Sequence, residues 1–303
     1  MSEMKRIEIK NNKLISFGYA WNVEDSIGNV IIVTDILDRS NRYDDVAKFL
    51  NDNHFDVYCV DMFGQGENVL PDLSNLGIVP TSGFRKQVQA IDILVRQLRL
   101  SARPTFMLAM GFGAIICQDY IQRYTEHVSK VAFIGCPYIK NISLKFFFAK
   151  IFQRFIKRDK KSLVFHKDFY LKYCKKDNLM WLTDEAKEIE KYSLDPLCGF
   201  NPSFGFYFEY LKGINRLYKK KFLMKIRKDL DILLISSNQD PLTHNGNDTL
   251  KIASIYNKLK INNVNTEIVD VKAHEVLFSS VKTDAYKLIL DFFLQDIDHK
   301  NVV

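Results

Sequence analysis

Phe106-Met107-Leu108-Ala109-Met110-Gly111-Phe112-Gly113-Ala114 is the stretch on which the reading of this chain turns. Thr105 to Ala109 is short, continuously apolar after its first residue, and bounded by turn formers, the pattern of a buried strand. Gly111 and Gly113 then offer a tight turn, and Gly111 to Tyr124 has helical spacing. A strand that enters a helix through small residues is half of a βαβ unit, and glycine there admits a positive φ and close strand–helix packing.

The same alternation repeats on both sides. Lys13 to Trp21, Asn29 to Thr34, Asp56 to Asp61, Lys130 to Gly135, Asp231 to Ser236 and Thr266 to Val271 read as strands. Helical patterns fall at Asn41–Asn53, Thr81–Leu100, Leu242–Lys260 and Val281–Phe293. In the second of these, Val88, Ile91, Leu94, Val95 and Leu98 form the apolar stripe. The order implies an α/β fold: a mostly parallel central sheet with helices on both faces. Between 137 and 228 the alternation stops and the segment turns helical and aromatic-rich. The expected organisation is a core formed by 1–136 and 229–303, with a helical cap (lid) inserted at 137–228.

Composition narrows the classes. A chain of 303 residues with 47% hydrophobic and 26% charged residues can bury a large core, which excludes global disorder. The net charge of +7 favours anionic partners, but no nucleic-acid motif accompanies it, so nucleic acid is not expected as a partner. Cys59, Cys117, Cys136, Cys174 and Cys198 are odd in number and widely spaced, which suits reduced thiols better than disulfides or a metal site. Neither a metal nor a cofactor is expected. The N-terminus lacks an apolar signal-peptide core, and no apolar run approaches the roughly 18 residues needed to span a bilayer. A cytoplasmic location, peripheral at the inner membrane surface, is the expectation.

Several blocks in order resemble one family. Ala109-Met110-Gly111-Phe112-Gly113 resembles the G-x-S-x-G nucleophile elbow of the α/β-hydrolases, with glycine at the serine position. Asp61-Met62-Phe63-Gly64-Gln65-Gly66-Glu67-Asn68 resembles the D-x-x-G-H-G-x-S loop of bacterial monoglyceride lipase and lysophospholipase-like (serine aminopeptidase-type) hydrolases, with Gln65 in place of histidine. Thr34-Asp35 stands where that family has H-G, followed by Arg42-Tyr43 and its helix. Ser236-Ser237-Asn238-Gln239-Asp240-Pro241 and Ala273-His274-Glu275 resemble the loops carrying the catalytic acid and base. Trp181-Leu182-Thr183-Asp184-Glu185 and Asp195-Pro196-Leu197-Cys198-Gly199-Phe200 resemble its cap.

The resemblance implies an α/β-hydrolase fold and carboxylic-ester chemistry. It assigns Gly111 to the nucleophile position with its serine lost, Asp240 to the acid and His274 to the base. It places the oxyanion donors at the N–H of Phe112 and near Ile36, with Asp35 standing where glycine is usual. A carboxylate there would oppose a developing negative charge. Cys117, Cys136, Ser279 and Ser280 lie on no elbow and offer no substitute nucleophile. Three readings stay open: a catalytically impaired pseudoenzyme binding an acyl lipid or ester; an active ester hydrolase using an unusual nucleophile or a His-activated water; and a protein-interaction module. An open apolar pocket beside Gly111 and His274 would favour the first two, and a pocket filled by side chains the third.

Leu144 to Arg158 interleaves phenylalanine with cations, and Phe148, Ile151, Phe152 and Phe155 share one helical face. That face either lies on an anionic membrane or covers an acyl pocket, to which Phe204, Phe206, Tyr207 and Phe208 would add lining.

Overall fold

The computed structural model describes residues 3–11, 14–168 and 179–295. Cys174 lies outside them.

Eight strands form one sheet: β1 (Lys5–Asn11), β2 (Leu14–Trp21), β3 (Gly28–Val33), β4 (Phe55–Val60), β5 (Thr105–Met110), β6 (Lys130–Ile134), β7 (Asp231–Ser237) and β8 (Val264–Val269). Their spatial order is β1-β2-β4-β3-β5-β6-β7-β8. β1 and β2 run antiparallel, as do β2 and β4, and every pairing from β4 to β8 is parallel. The fold class read from the sequence is therefore the one observed. β1 was not anticipated. Its Lys5-Arg6-Ile7-Glu8-Ile9-Lys10 alternates charged and apolar residues, the pattern of an edge strand with one wet face, and its signal is weak beside the β-branched central runs.

The helices are α1 (Asp44–Asn51), α2 (Gly83–Leu98), α3 (Gly111–Tyr124), α4 (Ile142–Phe152), α5 (Leu163–His166), α6 (Ala186–Leu194), α7 (Phe204–Leu217), α8 (Lys220–Leu223), α9 (Asn247–Lys258) and α10 (Lys282–Leu294). α9 starts later than the sequence pattern suggests. Asp240 and Thr243 tie Leu242 to Gly246 into turns first, because short polar side chains offer the backbone an alternative to helix.

β3 shows why the sheet is covered twice. All six of its residues are buried. Ile31 and Val33 join one core cluster with α2, α3 and α9, while Val30 and Ile32 join the other with α1 and α10. Successive side chains of a strand point to opposite faces, so a strand buried on both sides needs apolar residues on both, as Val30 to Val33 supply.

Between β6 and β7 the described residues contain helices α4 to α8 and no sheet strand. α7 is the buried member: Phe204, Phe206 and Tyr207 are almost fully enclosed. Phe206 stacks on Tyr210 at 4.9 Å, and Phe204 and Phe208 are 5.9 Å apart. These aromatics pack against one another and the core, rather than lining open space as expected. On α4 and the turn after it, Phe148, Ile151, Phe152 and Phe155 share a face, and that face is exposed to solvent.

Candidate active site

The loops after β3, β4, β5, β7 and β8 converge at the C-terminal edge of the sheet, where parallel α/β folds gather their polar groups. There the structure brings together Asp35, Ile36, Gly111, Phe112, Asp240 and His274.

Gly111 is the first residue of α3 and follows Met110, which is still extended. Its φ is +50°, a left-handed conformation that glycine adopts without strain. Space at this position is also restricted. A Cβ built on Gly111 would lie 2.2 Å from Asp35 Oδ2 and 2.3 Å from Asp35 Cγ. With Asp35 where it is, no side chain fits.

Asp240 follows β7 and is fully buried. Its Oδ1 accepts the N–H of Leu242 at 2.8 Å, and its Oδ2 accepts the Thr243 hydroxyl at 2.8 Å. The same Oδ2 lies 2.9 Å from Nδ1 of His274. His274 follows β8 and is 1% exposed. Trp181 covers it with ring centroids 5.9 Å apart, and the His274 backbone N–H donates to the Trp181 carbonyl at 2.9 Å. The segment between β6 and β7 thus seals one side of the imidazole.

Asp35 completes the cluster in a way its sequence position did not reveal. Its Oδ1 accepts the N–H of Phe112 at 2.7 Å and the N–H of Ile36 at 2.7 Å. Its Oδ2 lies 3.2 Å from Nε2 of His274. The carboxylate therefore opposes no charge in this state. It occupies the two donors that the resemblance assigns to an oxyanion, and it binds the second imidazole nitrogen. No signal in a single sequence could show this, because Asp35 and His274 lie 239 residues apart.

The electrostatics follow. Burial by itself would push the His274 pKa down. The charge and hydrogen bond of Asp240, joined by those of Asp35, override it and hold the pKa well above the ordinary imidazole value. The ring is an imidazolium between two carboxylates, with both nitrogens engaged.

Gln65 holds the Asp35 loop. Its Nε2 donates to the Asp35 carbonyl at 2.7 Å and the Asp38 carbonyl at 3.0 Å, and its Oε1 accepts the Leu37 N–H at 3.2 Å. Histidine has only two ring nitrogens, each making one hydrogen bond, and could not serve all three groups. Behind the loop, buried Arg42 pairs with Asp38 at 2.7 Å and with Glu275 at 2.8 Å, fixing the residue next to His274.

Aromatic and apolar side chains pack beside Phe112. Tyr210 meets the Phe112 ring edge-on at 5.8 Å and donates its hydroxyl to Met62 Sδ at 2.7 Å. Among the described residues, the cavity bordered by Met62, Phe84, Ile116 and Tyr210 has a volume of about 10 Å³, room for one water at most. The other expected bystanders stay so. Cys117 and Cys136 are buried and burial pushes both thiols up. The Ser279 hydroxyl donates to the Val276 carbonyl, and that of Ser280 to Asp184.

Comparison with known proteins is decisive on one point. The family model described as "Serine aminopeptidase, S33" matches residues 24–280. The chain belongs to that family. No curated protein is similar enough to count as a relative. Solved structures share the fold at low identity. A carboxyl esterase from Bacillus coagulans in complex with glycerol has a TM-score of 0.88 at 17% identity, covering 98% of this chain and 100% of that one. A soluble variant of monoglyceride lipase from Saccharomyces cerevisiae, in complex with a substrate analogue, has a TM-score of 0.76 at 14% identity, covering 99% and 96%. This S33 family member therefore shares its fold with esterases and lipases. Among its described residues there is no cluster suited to a metal ion, and no helix is long and apolar enough to cross a membrane.

Proposed function

We propose that this S33 family member is a pseudoenzyme of the lysophospholipase and monoglyceride lipase type. In this reading Gly111 holds the nucleophile position without a nucleophile, and Asp240 and His274 are the relic acid and base. The observation that carries it is the Asp35 carboxylate, bonded at once to the Phe112 and Ile36 N–H groups and to His274. Covalent ester hydrolysis needs a hydroxyl beside the imidazole and empty N–H donors for the oxyanion. Here one side chain takes both places. Loss of the nucleophile alone removes about 10⁶ of the rate in such triads.

A His-activated water is a weaker reading. A general base must have a free lone pair, and His274 is held as an imidazolium with both nitrogens bound. The residual role that fits the family is binding of a small acyl lipid or ester in the cytoplasm, at the surface of an anionic membrane. The helices between β6 and β7 would act as the cap. A protein-interaction module on a dead hydrolase fold is the other reading, and the close packing of Tyr210 on Phe112 supports it.

The test is turnover of a short-chain aryl ester and a lysophospholipid by the purified protein. No turnover above background is expected. An enzyme-like rate that disappears in His274→Ala would sink the pseudoenzyme reading.

A further inference from the structure

α4 carries apolar residues on two sides, and only one side is covered. Ala149 is fully buried, and Phe146 packs on Phe208 of α7 with ring centroids 5.6 Å apart. On the other side Leu144, Phe147, Phe148, Ile151 and Phe152 all reach solvent, and Phe155 in the next turn is 80% exposed. Their spacing of three and four residues is that of a single helix face. α5 extends the patch. Phe165 meets Phe152 edge-on at 6.2 Å, and its neighbours Leu163 and Val164 are 67% and 74% exposed. Single exposed apolar residues are ordinary, but a contiguous patch of this size marks an interaction surface.

Charge says what kind. Lys150, Arg154, Lys157, Lys160, Lys161 and Lys167 are exposed around the patch. Residues 140–168 contain nine Lys or Arg and two Asp. That net of +7 equals the net charge of the whole chain, so the other residues balance at 34 basic and 34 acidic. The entire charge excess sits on the segment that exposes the phenylalanines.

We propose that α4, α5 and the basic turn joining them are a docking surface for an anionic lipid bilayer. This deepens the reading above by naming the surface that makes the membrane contact, and its test does not depend on hydrolysis. The phenylalanines enter the boundary between headgroups and acyl chains, and the cations meet the lipid phosphates. A bilayer supplies an apolar phase and a negative field together, with no need for shape complementarity. A second copy of the chain fits poorly, since two patches of this charge repel each other.

The test is co-sedimentation of the full chain with vesicles of phosphatidylcholine alone and with ~30% phosphatidylserine. Binding is expected only to the anionic vesicles, weakening as salt rises. Arg154→Glu, Lys157→Glu and Lys160→Glu combined should lower the partition coefficient by at least about tenfold. Phe147→Ser, Phe148→Ser and Phe155→Ser combined should do the same, and both variants should keep the parent's thermal midpoint because the changed side chains are exposed. The proposal is overturned by no binding to anionic vesicles, by equal binding to neutral ones, or by binding indifferent to both variants. A patch used for self-association would instead show a size in solution that falls in the Phe variant without vesicle binding, and that also overturns it. Vesicle binding by a protein that proves hydrolytically active would leave this proposal standing and remove the pseudoenzyme reading alone.

Discussion

The Asp35 carboxylate and the Phe112 backbone N–H are joined by a 2.7 Å hydrogen bond, although they lie 77 residues apart. An oxygen of the protein itself thus sits where the family's chemistry would place a substrate oxyanion. The same carboxylate reaches His274 and closes on the space beside Gly111.

Restoring the serine should therefore fail by itself. In Gly111→Ser the new Cβ would meet Asp35 at 2.2 Å, on a backbone with φ of +50°. Ester hydrolysis should stay at background and the protein should be less stable than the parent. Asp35→Gly combined with Gly111→Ser empties the two N–H donors and makes room for the hydroxyl. Its kcat/KM on an aryl ester should exceed that of the single variant by at least about 10²-fold, the scale of an oxyanion interaction. Equal activity of the two would refute the blocking role of Asp35.

Removing the Asp35 carboxylate should also cost stability. Asp35→Ala leaves two buried N–H groups without an acceptor and one nitrogen of a buried imidazolium without a partner. Breaking such a pair costs about 3–5 kcal/mol. Asp35→Asn keeps an oxygen for the N–H groups and should cost less. Urea unfolding of both variants checks the order, and a larger loss in Asn would contradict it.

The His274 pKa makes stability depend on pH in one direction. Its folded value is raised by two carboxylates above the unfolded value of about 6.5. The contribution is complete below the unfolded value and is lost as pH rises through the folded one. The His274 ring protons should show no titration between about pH 5 and 7 in NMR spectra. Thermal midpoints should fall on the alkaline side, and His274→Asn should flatten that fall. An imidazole titrating near 6.5 would disprove the sandwiched ion.

Gln65→Ala tests whether the loop is held from below. It orphans the Asp35 and Asp38 carbonyls and the Leu37 N–H. At about 1–3 kcal/mol for a buried unsatisfied group, partly relieved by water, a loss of roughly 2–4 kcal/mol is expected. The urea midpoint should drop with the slope unchanged. A neutral result would mean that Arg42 and its partners hold the loop unaided.

Much of the architecture was legible from local pattern. The stretches 30–33, 106–109 and 232–235 are apolar throughout because their strands are buried on both faces, and that demand is visible residue by residue. β1 escaped because an edge strand with one wet face needs only Ile7 and Ile9. The order of the blocks also named the residues that the structure gathers: Asp35, Ile36, Gly111, Phe112, Asp240 and His274. Their relationship was not legible. Asp35 read as an obstacle to chemistry, when its place in the fold makes it the partner of His274. The α4 phenylalanines read as pocket cover or as membrane-facing surface, since helical periodicity defines a face but not what the face meets.

The sequence by itself determined the alternation of strands and helices, the missing serine and the concentration of positive charge at 140–168, because each is a property of residue type and spacing. Only the tertiary structure decided that one carboxylate fills the N–H pair, binds the imidazole and excludes a side chain at Gly111. Those contacts join segments 77 and 239 residues apart, and at 2.7 and 3.2 Å they depend on how five loops converge at one edge of the sheet.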